Sequence, residues 1–192
     1  SSLQANLNAC NPGDVIRLTN GTYNSTYTAN VDGTASEPII IMAQNPGTHG
    51  SRNVTLSGGR LILNGSNYIV GGFRFSWGTA PSNMIQINAN NIEFTDVDIR
   101  DINTTSGNSR VFVITSNASN CHIHHNYFFT ITNPMVIVQD VTYPSPYGTG
   151  NIIEYNTLDT CTGGTVGGLW VQLGNEPYSF NGNDDLCNTG TI

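Results

Sequence analysis

Residues Asn120 to Phe128 read N-C-H-I-H-H-N-Y-F, and this stretch carries both the repeat that decides the fold and the densest chemistry in the chain. Three relatives lie elsewhere: Asn67 to Phe75 (N-Y-I-V-G-G-F-R-F), Asn91 to Ile99 (N-I-E-F-T-D-V-D-I) and Gly150 to Leu158 (G-N-I-I-E-Y-N-T-L). Each sets two apolar residues five positions apart: Val70 and Phe75, Phe94 and Ile99, Ile123 and Phe128, Ile153 and Leu158. Successive units are offset by 24, 29 and 30 residues. Recurrence in this range marks a stacked repeat architecture, in which each unit buries its apolar face only against its neighbours.

Between these units lie further β-rich runs: Leu61 to Leu63, Ile85 to Ile87, Val111 to Ile114, Val136 to Val138 and Leu169 to Leu173. Each turn of chain therefore supplies two or three short strands, and each strand stacks on its counterpart ~4.8 Å away in the next turn. The expected fold is all-β, a single-stranded right-handed parallel β-helix. Stacking puts Val70, Phe94, Ile123 and Ile153 in one inward column, and Phe75, Ile99, Phe128 and Leu158 in another. Asn126 and Asn156 fall in register at the bend between strands, where side-chain amides can bond from turn to turn as an asparagine ladder.

At the start, Leu3, Leu7 and Cys10 have helical spacing before Asn11-Pro12-Gly13, which stops a helix. A short N-terminal capping helix over residues 1–12 covers the open end of the first coil. Coils over 13–173 and a Gly/Asn-rich tail over 174–192 complete one expected domain of 192 residues. In that tail Asp184-Asp185 reads as a turn.

Charge is sparse: 10% of residues are Asp, Glu, Lys or Arg, none is lysine, and the formal net charge is −7. This balance argues against nucleic acid, whose binding rests on lysine and arginine neutralising phosphates, and against an anionic membrane surface. No apolar run approaches the ~20 residues of a membrane span. The start at Ser1-Ser2-Leu3 is expected to follow a removed signal peptide. Six N-x-S/T acceptors, at Asn20, Asn24, Asn53, Asn64, Asn103 and Asn117, fit a secreted, extracellular glycoprotein. The four cysteines, Cys10, Cys121, Cys161 and Cys187, lack C-x-x-C spacing. One or two disulfides are expected in an oxidising compartment, with Cys161 to Cys187 tying down the tail and Cys121 a candidate buried thiol.

In the first third, Val15 to Leu18 alternates with Ile16 and Leu18 inward, and Asn20-Gly21 turns into Thr22-Tyr23. Gly13, Asp14, Ile16, Leu18, Gly21 and Tyr23, then Gly33-Thr34-Ala35, Pro38 to Ile41 and Pro46-Gly47, resemble the opening coils of secreted right-handed parallel β-helix (pectate-lyase-like) proteins. The resemblance is closest to the polysaccharide lyase family of chondroitinase B and alginate lyases. It covers roughly Leu3 to Leu63 and extends beyond only by pattern. It implies an acidic, uronic-acid-containing polysaccharide as partner, cleavage by β-elimination, and Ca²⁺ as the candidate cofactor. Lyases of that family use a lysine base and an arginine, so the absence of lysine carries none of those positions over to this chain.

Because side chains alternate along a strand, Glu93, Thr95, His122, His124, Ile152 and Glu154 are expected on the outside. Gly72, Asp96, His125 and Tyr155 follow at the bend, with Arg74, Asp98, Tyr127 and Thr157 beyond it and Arg100 two residues further on. The expectation is one loaded outer face. β-Elimination needs a cation for the carboxylate, a base for the C5 proton and an acid for the leaving oxygen. Arg100 or Ca²⁺ is the candidate cation, His124 or His122 the base and Tyr127 or Tyr155 the acid, with His125 a further catalytic candidate and Arg74, Asp98 and Tyr155 binding substrate. The cationic field in a chain of net charge −7 must come from Arg74, Arg100, Arg110 or a metal.

Competing readings are a transition-metal site of His122 and His124 with Glu93 or Glu154, and a two-carboxylate glycoside hydrolase built from Asp96 or Asp98 with Glu154. A third is a non-catalytic glycan-binding or host-interaction surface using Tyr127, Tyr155, Trp77 or Trp170 as platforms. The fourth is a merely solvated polar face. The chain is expected to act as a monomer.

Overall fold

The computed structural model describes residues 2–77, 83–103, 110–115, 118–132, 135–139, 150–159, 171–173 and 189–191. The chain coils into a parallel β-helix whose turns each contribute one strand to three stacked sheets. The first sheet contains Val15–Leu18, Ile39–Ala43, Tyr68–Gly71, Ile92–Thr95, His122–His124 and Ile152–Glu154. In the second are Gly21–Tyr23, Val54–Ser57, Arg74–Ser76, Asp98–Asn103, Tyr127–Thr132 and Thr157–Asp159, with Thr189–Thr191 antiparallel on its edge. The third holds Tyr27–Ala29, Leu61–Leu63, Asn83–Ile87, Arg110–Ile114, Met135–Gln139 and Val171–Leu173.

The registers are those the repeat predicts: Val70 pairs with Phe94, Phe94 with Ile123 and Ile123 with Ile153. Phe75 pairs with Ile99, Ile99 with Phe128 and Phe128 with Leu158. Inside, Phe75 stacks on Trp77 at 5.2 Å, and Phe94 meets Phe112 edge to face at 5.0 Å. Trp77 is fully buried in this aromatic core and donates its Nε1 hydrogen to the Gly59 carbonyl, so it is not the sugar platform suggested by its sequence position.

A residue in the left-handed backbone region ends the last four strands of the first sheet and turns the chain into the second. Gly72, Asp96, His125 and Tyr155 occupy this place with φ of 78°, 55°, 52° and 53°. Asn126 and Asn156 follow it and point inward, as the predicted ladder requires. Asn126 donates to Phe94 O at 3.1 Å and to Asn156 Oδ1 at 3.0 Å, while its own Oδ1 accepts from Val97 N at 3.1 Å. Asn126→Ala would strand two buried backbone partners, Phe94 O and Val97 N, on the preceding rung. We expect it to lower stability by about 2–3 kcal/mol, measured by urea unfolding.

The capping helix runs from Leu3 to Ala9 with Ser2 as its N-cap, and it buries Leu3 and Leu7 against the first coil. Gln4 takes the place of a missing strand: its amide donates to Thr28 O at 2.8 Å and accepts from Thr28 N at 2.9 Å. The exposed edge of the third sheet is thereby satisfied. Cys10 and Cys121 are buried free thiols. Cys161, Cys187, Trp170, Asp184, Asp185, Asn117 and the side chains of Asn103 and Arg110 lie outside the described residues.

Candidate functional site

The single loaded face expected from the repeat divides into two, because the left-handed bend assigns residues before and after it to different sheets. His122, His124, Glu93 and Glu154 share the first sheet, while Arg74, Asp98, Arg100 and Tyr127 belong to the second. His125 and Tyr155 lie on the bend between them.

On the first sheet the imidazoles of His122 and His124 stack at 3.9 Å. His122 Nε2 lies 3.0 Å from Glu154 Oε1, and His124 Nε2 lies 3.1 Å from Glu93 Oε1. These glutamates belong to the rungs on opposite sides of the histidines, so the two Nε2 atoms diverge rather than share one ligand. Among the described residues no group of three His, Cys, Asp or Glu is arranged to hold a metal ion. His124 Nδ1 and His125 Nδ1 share one hydrogen at 2.7 Å, and the His125 ring stacks on Tyr155 at 5.4 Å.

The second sheet carries a feature outside the repeat. Gly47–Thr48 and Ser51–Arg52 pair antiparallel, and the hairpin tip at His49-Gly50 packs over the sheet's outer face. Gly47 has φ of 73°, and a β-carbon there would collide with Ser51 O, so only glycine closes this hairpin.

Asp98 anchors the hairpin. Its Oδ1 receives His49 Nδ1 at 2.6 Å and Arg52 Nε at 3.2 Å, and its Oδ2 receives Gly50 N at 2.7 Å. The alternation rule correctly directs Asp98 out of the sheet, but the hairpin covers it and leaves its side chain 1% exposed. Asp98, expected among the substrate-binding residues, is held here as a buried anchor of the hairpin. Arg52 Nη2 also lies 3.0 Å from Nδ1; in the neutral tautomer whose Nδ1 hydrogen goes to Asp98, Nε2 is the basic atom of His49. Nε2 lies 3.3 Å from Asp96 Oδ1 on the bend.

Arg52 completes the cluster, donating to Asp96 Oδ1 at 2.6 Å and to Asp96 O at 2.9 Å. Burial pulls its guanidinium down, but the hydrogen bond to Asp96 and the charges of Asp98 and Asp96 together hold it above its ordinary value. Asp98 and Asp96 are thus committed to Arg52, and Glu154 is on the other sheet.

Beside the hairpin opens a cavity of about 480 Å³ lined by His49, Gly50, Asp98, Arg100, Tyr127 and Phe129. Arg100 donates from Nη1 to Gly50 O at 3.1 Å and from Nε to Asp101 at 2.8 Å, and it lies 5.1 Å over the Phe129 ring. Tyr127 sits between His49 and Phe129, with ring centroids 5.6 Å and 5.9 Å away. Its hydroxyl donates to Asp159 Oδ2 at 2.6 Å.

The bond to Asp159, aided by burial, pushes the Tyr127 phenol from 10.0 up to about 12. The folded state therefore holds this proton more tightly than the unfolded chain. The resulting stability is complete below about pH 10 and is lost as pH rises through about 12. In an alkaline absorbance titration, Tyr127→Phe should remove a late-ionising tyrosine from the 10–12 range. An unchanged curve would show that the bond to Asp159 does not hold the proton.

Of the residues marked by sequence, Arg100 and Tyr127 line the cavity together with buried Asp98. Arg74 reaches the same hairpin through Gly50 O at 2.9 Å. His122, His124, Glu93 and Glu154 form the separate group on the first sheet. Sequence reasoning missed His49, Gly50, Arg52, Phe129 and Asp159. The available signal was Thr48 to Arg52, T-H-G-S-R: a histidine and an arginine around glycine, in a chain with 4 histidines and 6 arginines, outside the repeat.

By sequence, no curated protein matches the chain. Its fold is similar to that of the PL6 family polysaccharide lyase Pedsa3628 from Pseudopedobacter saltans, with a TM-score of 0.64 at 17% identity, covering 91% of this chain and 41% of that one. It is also similar to a variant of the PL6 family alginate lyase AlyGC, with a TM-score of 0.53 at 20% identity over 83% of this chain and 28% of the other. The chain thus spans about two fifths and just over a quarter of these two proteins. The chondroitinase B family matches residues 1–175, and the chain, a parallel β-helix with a cation-lined cavity on its second sheet, belongs to that family.

Proposed function

We propose that the cavity on the second sheet engages an acidic, uronic-acid-containing polysaccharide and supports its cleavage by β-elimination. The observation that carries this reading is that His49, Arg100 and Tyr127 line one cavity, with His49 held through Nδ1 by buried Asp98. Arg100 faces the uronate carboxylate and stabilises the charge that builds there as the C5–H bond breaks. His49 Nε2 takes the C5 proton. The electron pair forms the C4=C5 double bond as the C4–O bond breaks; Tyr127, turning its hydroxyl from Asp159, gives its proton to the departing oxygen and is reprotonated from water. His49, whose side chain is partly exposed, then gives the collected proton to water.

Family membership supports polysaccharide lyase chemistry, and the polymeric substrate supports an extracellular place of action. The acidic oxygens around the cavity do not fit Ca²⁺, which takes six to eight oxygen ligands. Asp98 and Asp96 are bound by Arg52, Asp101 by Arg100 and Asp159 by Tyr127. The cationic role therefore rests on arginine.

The test is incubation with alginate, pectate and glycosaminoglycans, with Ca²⁺ and after its chelation, while following absorbance of the unsaturated product. The expected result is product from at least one polymer at a rate independent of Ca²⁺. Binding with no product on any polymer would leave a non-catalytic glycan-binding surface instead.

A further inference from the structure

Arg74 and Arg100 project from neighbouring rungs of the second sheet, where Arg74 pairs with Asp98 and Ser76 with Arg100. Both guanidinium groups converge on one neutral acceptor, the Gly50 carbonyl, at 2.9 Å and 3.1 Å. A carbonyl dipole does not compensate two cations. The nearby Asp98 is enclosed by His49, Gly50 and Arg52, and Asp101 is bonded to Arg100. Arg74 is left without a carboxylate bond among those described, and its buried Nε has no hydrogen-bond partner among the described residues. Burial, followed by the charge of Arg100, pulls the Arg74 guanidinium below its ordinary value. An added anion beside Arg74 relieves both the unpaired donor and the like-charge contact.

Only Arg100 lines the cavity in which the reaction is placed, and Arg74 sits one rung toward the N-terminus. Adjacent rungs are ~4.8 Å apart. A 1,4-linked pyranose chain advances by a similar distance per sugar, so a polymer lying along the solenoid presents successive sugars to successive rungs. We propose that Arg74 forms a second acidic-sugar subsite beside the reacting one, selecting polymers that carry carboxylates on consecutive sugars over those in which charged and uncharged sugars alternate. This inference rests on the reading of the cavity given above and deepens it. Arg74 determines specificity and takes no part in proton transfer. Gly50 O holds its guanidinium in place until the sugar carboxylate arrives.

The test is equilibrium binding, by calorimetry, of two probes: a saturated 1,4-linked uronate tetrasaccharide and the same tetrasaccharide with alternate carboxyls reduced to alcohols. The chain should bind the fully charged probe about tenfold more tightly, as expected for one charge-assisted contact. Arg74→Gln should remove that preference, and Arg74→Lys should retain part of it as a point charge. Thermal midpoints of both variants should show that the hairpin, still held by Asp98 and Arg100, remains folded. Equal affinity of the wild-type chain for the two probes would overturn the inference, as would a preference that survives Arg74→Gln. Selective binding without turnover would overturn the elimination reading alone. Binding of neither probe would overturn both.

Discussion

Asp98→Ala is expected to lower the free energy of unfolding by about 3–5 kcal/mol, the range for removing one partner from a buried ion pair. The Asp98 side chain is 1% exposed and that of Arg52 is 2%, so neither regains water while the hairpin stays in place. The substitution also removes the acceptors for His49 Nδ1 and Gly50 N, the contacts that pin the hairpin tip to the second sheet. The solenoid beneath depends on its own apolar columns, so the loss should appear as a lower urea midpoint at little-changed slope. Asp96→Ala is the control. Asp96 also binds Arg52, but its side chain is 50% exposed, and its contribution should stay near about 1 kcal/mol. A loss below about 1 kcal/mol for Asp98→Ala would contradict the buried anchor.

His49→Ala is expected to lower turnover by about 10²–10⁴-fold, the usual contribution of a positioned general base. His49 is 43% exposed, and without it Arg52 Nε and Gly50 N still bond Asp98, so the same change should move the unfolding midpoint much less than Asp98→Ala. Activity and stability thus separate at His49, whereas Asp98→Ala should damage both. His122→Ala and His124→Ala form the comparison. Their rings belong to the first sheet and are hydrogen-bonded to Glu154 and Glu93, away from the cavity. Turnover close to wild type in these two variants supports His49 as the base. Loss of turnover in His124→Ala with His49→Ala active would move the base to the first sheet.

The scaffold was legible because stacking repeats the same requirement at every turn. Val70, Phe94, Ile123 and Ile153 occupy equivalent inward places, and each rung confirmed the next. Asn126 and Asn156 were legible for the same reason. The site was less so, because the hairpin at Gly47 to Arg52 occurs once and its partners are remote: His49 and Asp98 are 49 residues apart. Alternation gave the direction of Asp98 but not what covers it. One left-handed residue, His125, separates His124 from Tyr127 by a change of sheet, which a linear alignment of repeats does not display. Arg100 and Tyr127 were identified by residue type and position, while their partner His49 lay outside the pattern that drew attention to them.

The central claim is that the second-sheet cavity breaks a uronate polymer by elimination, and product mass tests it most directly. The polymer cleaved in the absorbance assay should be digested to oligosaccharides by the wild-type chain and by His49→Ala, and the products compared by mass spectrometry. Elimination leaves a new unsaturated end whose product is lighter by one water than the corresponding product of hydrolysis. The expected result is unsaturated oligosaccharides from the wild-type chain and almost none from His49→Ala. Products carrying the added water, or unsaturated products formed equally well by His49→Ala, would contradict it.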